Sequence, residues 1–170
     1  TQIQRILERL EAKDLLKDTI VLITGDHGEE FLEEGRWGHN STFSEPQIRV
    51  PFVLWVPGRQ PMRAEHITSH LDVPATICKL LGVENPERAY TLGHDLFGPE
   101  RRTSTVLGDW DDVVYLDDEI TAVFPLRSVD LTGAERRLKG AARGKDPEEV
   151  LSTKAAGLTE LMRDLRRFAK

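Results

Sequence analysis

The stretch 19–40, TIVLITGDHGEEFLEEGRWGHN, constrains this chain more than any other. A short apolar run rich in β-branched residues, Ile20-Val21-Leu22-Ile23, leads through Thr24 and Gly25 to two adjacent potential metal ligands, Asp26 and His27. An apolar run of this length bounded by turn residues predicts a buried strand of a parallel sheet. In open α/β sheets ligands bind just beyond the carboxyl ends of strands, which is where this pair falls. Gly25 and Gly28 let the backbone turn sharply and approach a ligand closely. A second histidine, His39, follows twelve residues after His27, between Gly38 and Asn40.

A carboxylate beside a neutral imidazole suits a divalent cation such as Mn or Zn, whereas oxygen-only sites favour Ca or Mg. Two ligands do not complete a catalytic centre, which normally takes three from the protein. His39 is either a third ligand or a group that acts on the substrate. An isolated Asp-His pair more often is a helix cap beside a surface histidine. The preceding strand, the glycines and the second histidine favour a site.

GDHGEE, WGHN and VPFVLWVPG occur in that order, followed by HLDVPATICKLLG and YTLGHDLFG. This ordered set resembles the C-terminal half of the sulfatase and alkaline-phosphatase-like superfamily, which includes sulfatases and membrane-anchored phosphoethanolamine and phosphoglycerol transferases. The resemblance is close over 3–98 and fades beyond. It implies an α/β fold: a layered sheet with flanking helices, plus a small C-terminal antiparallel sheet and a C-terminal helix, a partial alkaline-phosphatase-like fold. Residues 1–98 would form the C-terminal half of the core. Residues 99–170 would form the small sheet and terminal helix, packed as one unit with it.

The resemblance also implies roles. Asp26 and His27 match metal ligands for a divalent cation, Mn, Zn or Ca. His39 matches a catalytic, substrate-binding histidine that contacts the headgroup or a second metal. Arg49 would bind a sulfate or phosphate oxygen, although a structural ion pair accounts for it as well. His70 would stand beside the substrate cleft; an exposed or hydrogen-bonded histidine is the plainer reading, as it is for His66. The family's nucleophile, a Thr, Ser or formylglycine-forming Cys, lies upstream of these motifs and nothing here matches it. Cys78 lacks the Cys-x-Pro-x-Arg pattern and, as the single cysteine, excludes an internal disulfide. The expectation is part of a metal-dependent enzyme that hydrolyses or transfers sulfate or phosphate esters, inactive until joined by the missing N-terminal half. The resembling families act in the periplasm or at the extracytoplasmic face, which leaves membrane association of the parent open. A non-catalytic lipid-sensing or scaffolding relative is the alternative. A phosphomutase-like or nucleotide-pyrophosphatase relative with two metals is a third.

With 39% hydrophobic and 31% charged residues, the chain can build a core. No apolar run reaches the roughly eighteen residues a membrane helix needs. The net charge of −6 divides into −10 over 1–125 and +4 over 126–170. The acidic balance argues against a nucleic-acid groove. The basic tail suits docking on the acidic body or exposure to solvent, or else an anionic lipid or substrate.

Helical spacing of Ile3, Ile6, Leu7 and Leu10 predicts an amphipathic helix over 1–17. Glu29, Glu30, Glu33 and Glu34 read as acids in the first turns of a helix, one of them a candidate to fix the His27 tautomer. Trp37 is expected to pack over the loop. Residues 40–49 read as a polar active-site loop and 52–56 as a buried strand between Pro51 and Pro57. Asp72 would cap a helix ending at Gly82, with Val73, Ile77, Leu80 and Leu81 as its stripe. The runs 103–108, 112–116 and 120–126 predict an antiparallel meander with solvated acidic turns. Residues 134–145 read as a basic loop or helix fragment. Asp146-Pro147 starts a helix with Leu151, Ala155, Leu158, Met162, Leu165 and Phe168 as its stripe.

Overall fold

Thr1 opens the first helix, its hydroxyl accepting the Gln4 amide at 3.2 Å. The computed structural model describes residues 1–39, 42–126 and 135–168, with Phe168 described by its backbone alone. Asn40, Ser41, Ala134, Lys170 and the Phe168 side chain therefore lie outside the described residues. The chain divides into two compact units, Thr1–Arg63 and Ala64–Lys170. The sequence changes character later, after Gly98.

In the first unit, helix α1 (Gln2–Ala12) forms where the spacing predicts it, yet buries none of its residues. Strand β1 (Val21–Thr24) pairs with β4 (Phe52–Trp55), Val21 opposite Trp55 and Thr24 opposite Phe52. This ladder is antiparallel, as is every ladder among the described residues, so the expected parallel pairing is not found. Neither strand is fully buried, and Val53 and Trp55 remain half exposed. An apolar run records a strand with two apolar faces; the described residues leave the Val53–Trp55 face uncovered.

The expected helix after Gly28 is instead a hairpin of β2 (Glu30–Phe31) and β3 (Trp37–Gly38). Its turn holds Leu32 and Gly35 at positive φ, +74° and +87°, which breaks any helix there. Trp37 is exposed and meets Phe31 edge-on across the hairpin, so its packing is with its cross-strand partner. The supposed loop contains a one-turn helix, α2 (Glu45–Ile48), flanked and lined by buried Ser44 and Gln47.

In the second unit, helix α3 (Asp72–Leu80) begins with Asp72 itself, and Leu71 is its cap. Asp72 is buried and accepts the Ser69 amide at 2.8 Å, the His94 amide at 2.9 Å and the Arg102 guanidinium. The buried face therefore centres on Asp72, Ala75 and Thr76, while Leu81 is exposed. Gly82 sits at positive φ just past the helix end, as its position predicts.

Strands β5 (Ser104–Gly108), β6 (Asp112–Asp117), β7 (Ile120–Pro125) and β8 (Arg136–Leu138) form an antiparallel sheet in that order. The fourth strand falls in the basic segment read as loop or helix. Its charge hides a strand because Arg136 folds inward, donating to the Val123 carbonyl at 2.8 Å with its guanidinium over Phe124. Helix α4 (Pro147–Ser152) starts as expected, with Asp146 accepting the Glu148 amide. It stops before Lys154, which turns inward to Asp117 at 3.0 Å and Glu119 at 2.5 Å. Helix α5 (Ala155–Phe168) then restarts in a new phase. Leu158 and Leu161 pack on the core of Tyr115, Ile120, Ala122, Ala142 and Val150, and Met162 is exposed. The acidic turn at Asp117 is thus a buried ion-pair anchor and not a solvated one. No helix among the described residues is long and apolar enough to cross a membrane.

Candidate functional site

β1 ends at Thr24, and Gly25 carries the chain into Asp26 and His27. The His27 Nδ1 lies 2.9 Å from the Gly28 carbonyl. A carbonyl only accepts, so Nδ1 carries the proton and Nε2 keeps its lone pair. That Nε2 faces the Asp26 Oδ2 at 3.8 Å. Asp26 is open to solvent. Hydrogen bonds from its own amide and from the His27 amide, followed by the nearby His27 ring, hold its carboxyl below the usual range.

The hairpin then returns His39 to His27. Their rings stack with centroids 4.3 Å apart and planes 28° from parallel. His39 Nδ1 lies 2.9 Å from the Glu29 Oε2, which accepts a hydrogen bond from the Nδ1–H and leaves Nε2 without a part in that contact. Asp26, His27, Glu29 and His39 therefore share one surface of the first unit. His27, Glu29 and His39 are each a little over 40% exposed, accessible to a ligand but laterally supported.

The other side of this segment packs inward. The Gly28 amide donates to the Gln47 carbonyl at 2.8 Å, and a Cβ added at Gly28 would lie 2.0 Å from the Pro46 carbonyl oxygen. Glu30 is completely buried. Its carboxylate accepts the Ser44 hydroxyl at 2.5 Å, the Gln47 amide at 3.0 Å, and the backbone amides of Glu34 at 3.0 Å and Arg36 at 2.8 Å. The Ser44 hydroxyl foremost, with the Arg36 amide, Gln47 and the Glu34 amide, holds its pKa down to about 2 against the cost of burial.

A sequence model of the sulfatase family matches residues 1–83. The inner membrane protein YejM of Salmonella typhimurium is 34% identical over 107 residues, 62% of this chain and 18% of YejM. The choline-sulfatase of Rhizobium meliloti is 33% identical over 96 residues, 56% of this chain and 19% of that enzyme. The structure of BT1596, a 2-O GAG sulfatase, superposes with a TM-score of 0.75 at 20% identity, covering 99% of this chain and 42% of that one. Over residues 1–83 the chain is therefore similar to the sulfatases, and its fold is theirs. It spans less than half the length of each of these relatives.

The structure brings Asp26, His27 and His39 together and adds Glu29, one of the four glutamates expected in the first turns of a helix. Ten residues separate Glu29 from His39, a spacing that signals nothing until the hairpin is known. Arg49 lines a shallow concavity with Glu33, Glu34, Glu45 and Pro46, where an anion would meet three carboxylates beside one guanidinium. His70 belongs to the second unit, in the turn entering α3, where its carbonyl accepts the Val73 amide. Among the described residues, no group of three or more His, Cys, Asp or Glu side chains is arranged to hold a metal ion. The pair Asp26 Oδ2 and His27 Nε2 does fit one. Their 3.8 Å separation is shorter than two ligand bonds of about 2.0–2.2 Å laid end to end. The Gly28 carbonyl supplies the outer contact that orients such a histidine.

Proposed function

We propose that this chain supplies one wall of the active site of a metal-dependent enzyme that hydrolyses or transfers sulfate or phosphate esters, with the nucleophile contributed by polypeptide outside it. The observation that carries this reading is the convergence, beyond the end of β1, of the Asp26 carboxylate, the free Nε2 of His27 and the ring of His39. When bound, a divalent cation, Mn, Zn or Ca, neutralises charge on the non-bridging ester oxygens and makes the attacking group more acidic.

Asp26 and His27 would hold that cation together with ligands from outside the described residues. Asp26 is kept ionised by its amide contacts, and His27 presents Nε2 because the Gly28 carbonyl fixes the proton on Nδ1. His39 serves as general acid: protonated at Nε2, it hydrogen-bonds the bridging ester oxygen and passes it a proton as the bond breaks. Glu29 accepts the Nδ1–H hydrogen bond of His39 and so holds the ring with Nε2 directed away from it. Arg49 receives no anion-binding role in this reading, because its acidic surroundings oppose one.

The test uses the full-length protein, stripped of metal and reloaded separately with Mn, Zn or Ca. It is assayed on 4-nitrophenyl sulfate and on 4-nitrophenyl phosphate. Metal-dependent turnover of at least one ester is expected. Asp26→Ala should abolish it together with metal binding, and His39→Ala should lower kcat by about 10²–10⁴-fold. An Asp26→Ala protein that keeps its metal and its activity refutes the ligand assignment.

A further inference from the structure

We propose that Glu30 is a positioning residue that sets the approach of His39 to His27, an inference that rests on the role proposed above for His39. Contacts alternate along the segment after β1. His27 and Glu29 reach His39, the first by stacking and the second by a hydrogen bond. Gly28 and Glu30 reach the opposite way, to α2 and its cap. Glu29 and Glu30 are adjacent where β2 begins, and an extended chain points successive side chains to opposite faces, so what anchors Glu30 bears on Glu29.

Glu30 fixes it at two places. One oxygen, Oε1, draws in the Glu34 and Arg36 amides and so closes the turn that carries the chain toward Trp37, Gly38 and His39. The other, Oε2, anchors to Ser44 and Gln47. All four donors are neutral. A carboxylate with no exposure and, among the described residues, no ion pair is costly to bury, and only a complete set of hydrogen bonds offsets that cost. Ser44 shows where the interaction is directed. It stands at the cap of α2 with Gln47 three residues on, the spacing of a capping box, yet its hydroxyl makes no cap bond and goes to Glu30. Glu30 is thus the joint between the hairpin and α2, and His39 is carried on the far strand of that hairpin.

The experiment uses the full-length enzyme and the variants Glu30→Ala, Glu30→Gln and Ser44→Ala. Each is checked for folding by thermal unfolding and for metal content. The His27 and His39 ring protons are followed by NMR, because stacked imidazoles shift each other's resonances. Glu30→Ala should lower kcat about 100-fold, the effect of an approximately 1 Å misplacement. KM should stay within about twofold and the mutual ring shift should be lost. Glu30→Gln keeps an acceptor for the two backbone amides and should recover most of the lost kcat. Ser44→Ala, which removes one of four contacts, should fall between; it decides the matter if Glu30→Ala does not fold. Wild-type kcat and unchanged ring shifts in folded Glu30→Ala, or in Ser44→Ala, would overturn the proposal. Wild-type enzyme that turns over neither ester refutes the functional reading instead, and the ring shifts then still test the positioning.

Discussion

Gly28→Ala tests the geometry of the site most directly. A Cβ at position 28 would lie 2.0 Å from the Pro46 carbonyl oxygen and 3.3 Å from that of Arg49. Side-chain carbons essentially never approach backbone within 3.0 Å, so a gap of about 1 Å must open between the motif and α2. Opening it strains the packing by about 1–3 kcal/mol. It also breaks the Gly28 amide bond to Gln47, worth about 1 kcal/mol more. The first unit should therefore lose about 2–4 kcal/mol, measured by urea unfolding followed through Trp37 and Trp55 fluorescence. His27 is carried by the same backbone and should move with it, weakening metal binding in a calorimetric titration. Gly35→Ala is the control. Position 35 has nothing within 4 Å but a φ of +87°, so the cost is the left-handed backbone alone, about 1–2 kcal/mol, with metal affinity unchanged. Gly28→Ala with wild-type stability and metal affinity would refute the close approach of the motif to α2.

Lys154→Met should destabilise the second unit by about 3 kcal/mol, the lower end for breaking a buried pair, since Asp117 keeps Tyr115 and two backbone amides as donors. A melting point lower by on the order of 15 °C is the expected reading, and a shift under about 3 °C would refute it. Glu30 has its pKa lowered from 4.5 to about 2, so its contribution is complete above pH 4.5 and disappears as pH falls toward 2. Urea midpoints should fall across that window in wild type, and Glu30→Gln should flatten the fall. Glu29→Ala, which removes the hydrogen-bonding partner of His39, should loosen the His39 ring and weaken its mutual NMR ring shift with His27. Unchanged ring shifts would mean the carboxylate does not contact that ring.

The elements with a local signal were legible. The helix cap at Asp146 followed by Pro147, the glycine past α3, and the three β-rich runs of the meander each use chemistry contained within a few residues. What stayed hidden depends on partners distant in sequence. Arg136 makes a strand out of a basic segment by laying its guanidinium on Phe124. Lys154 divides a continuous helical stripe because Asp117 and Glu119, more than thirty residues earlier, draw it inward. The parallel strand was inferred from an apolar run, but such a run reports only that two faces are apolar, not which neighbour pairs at the edge. Here the neighbour is β4, and it runs antiparallel.

The same division holds within the site, and it explains why the motif could be found before its support. Asp26 and His27 are adjacent, so any backbone that delivers one delivers the other, and proximity is assured by the covalent chain. The approach of His39 is not assured in that way. It requires a hairpin whose turn is drawn shut by Glu30, whose register sets Glu30 opposite Gly38, and whose base leaves no room for a Cβ at Gly28. Four glutamates in the segment look alike in the sequence, which offers one of them as a partner for His27 without saying which. In the folded chain Glu29 holds the histidine that faces the ligand, and Glu30 is buried against α2. Their difference arises from alternation along an extended backbone, one side open and one side packed. A helical reading of the same residues erases that difference, because it places positions 29 and 30 about 100° apart on one cylinder rather than on opposite faces. The secondary-structure error and the missed site residue are therefore a single error, and finding the hairpin corrects both.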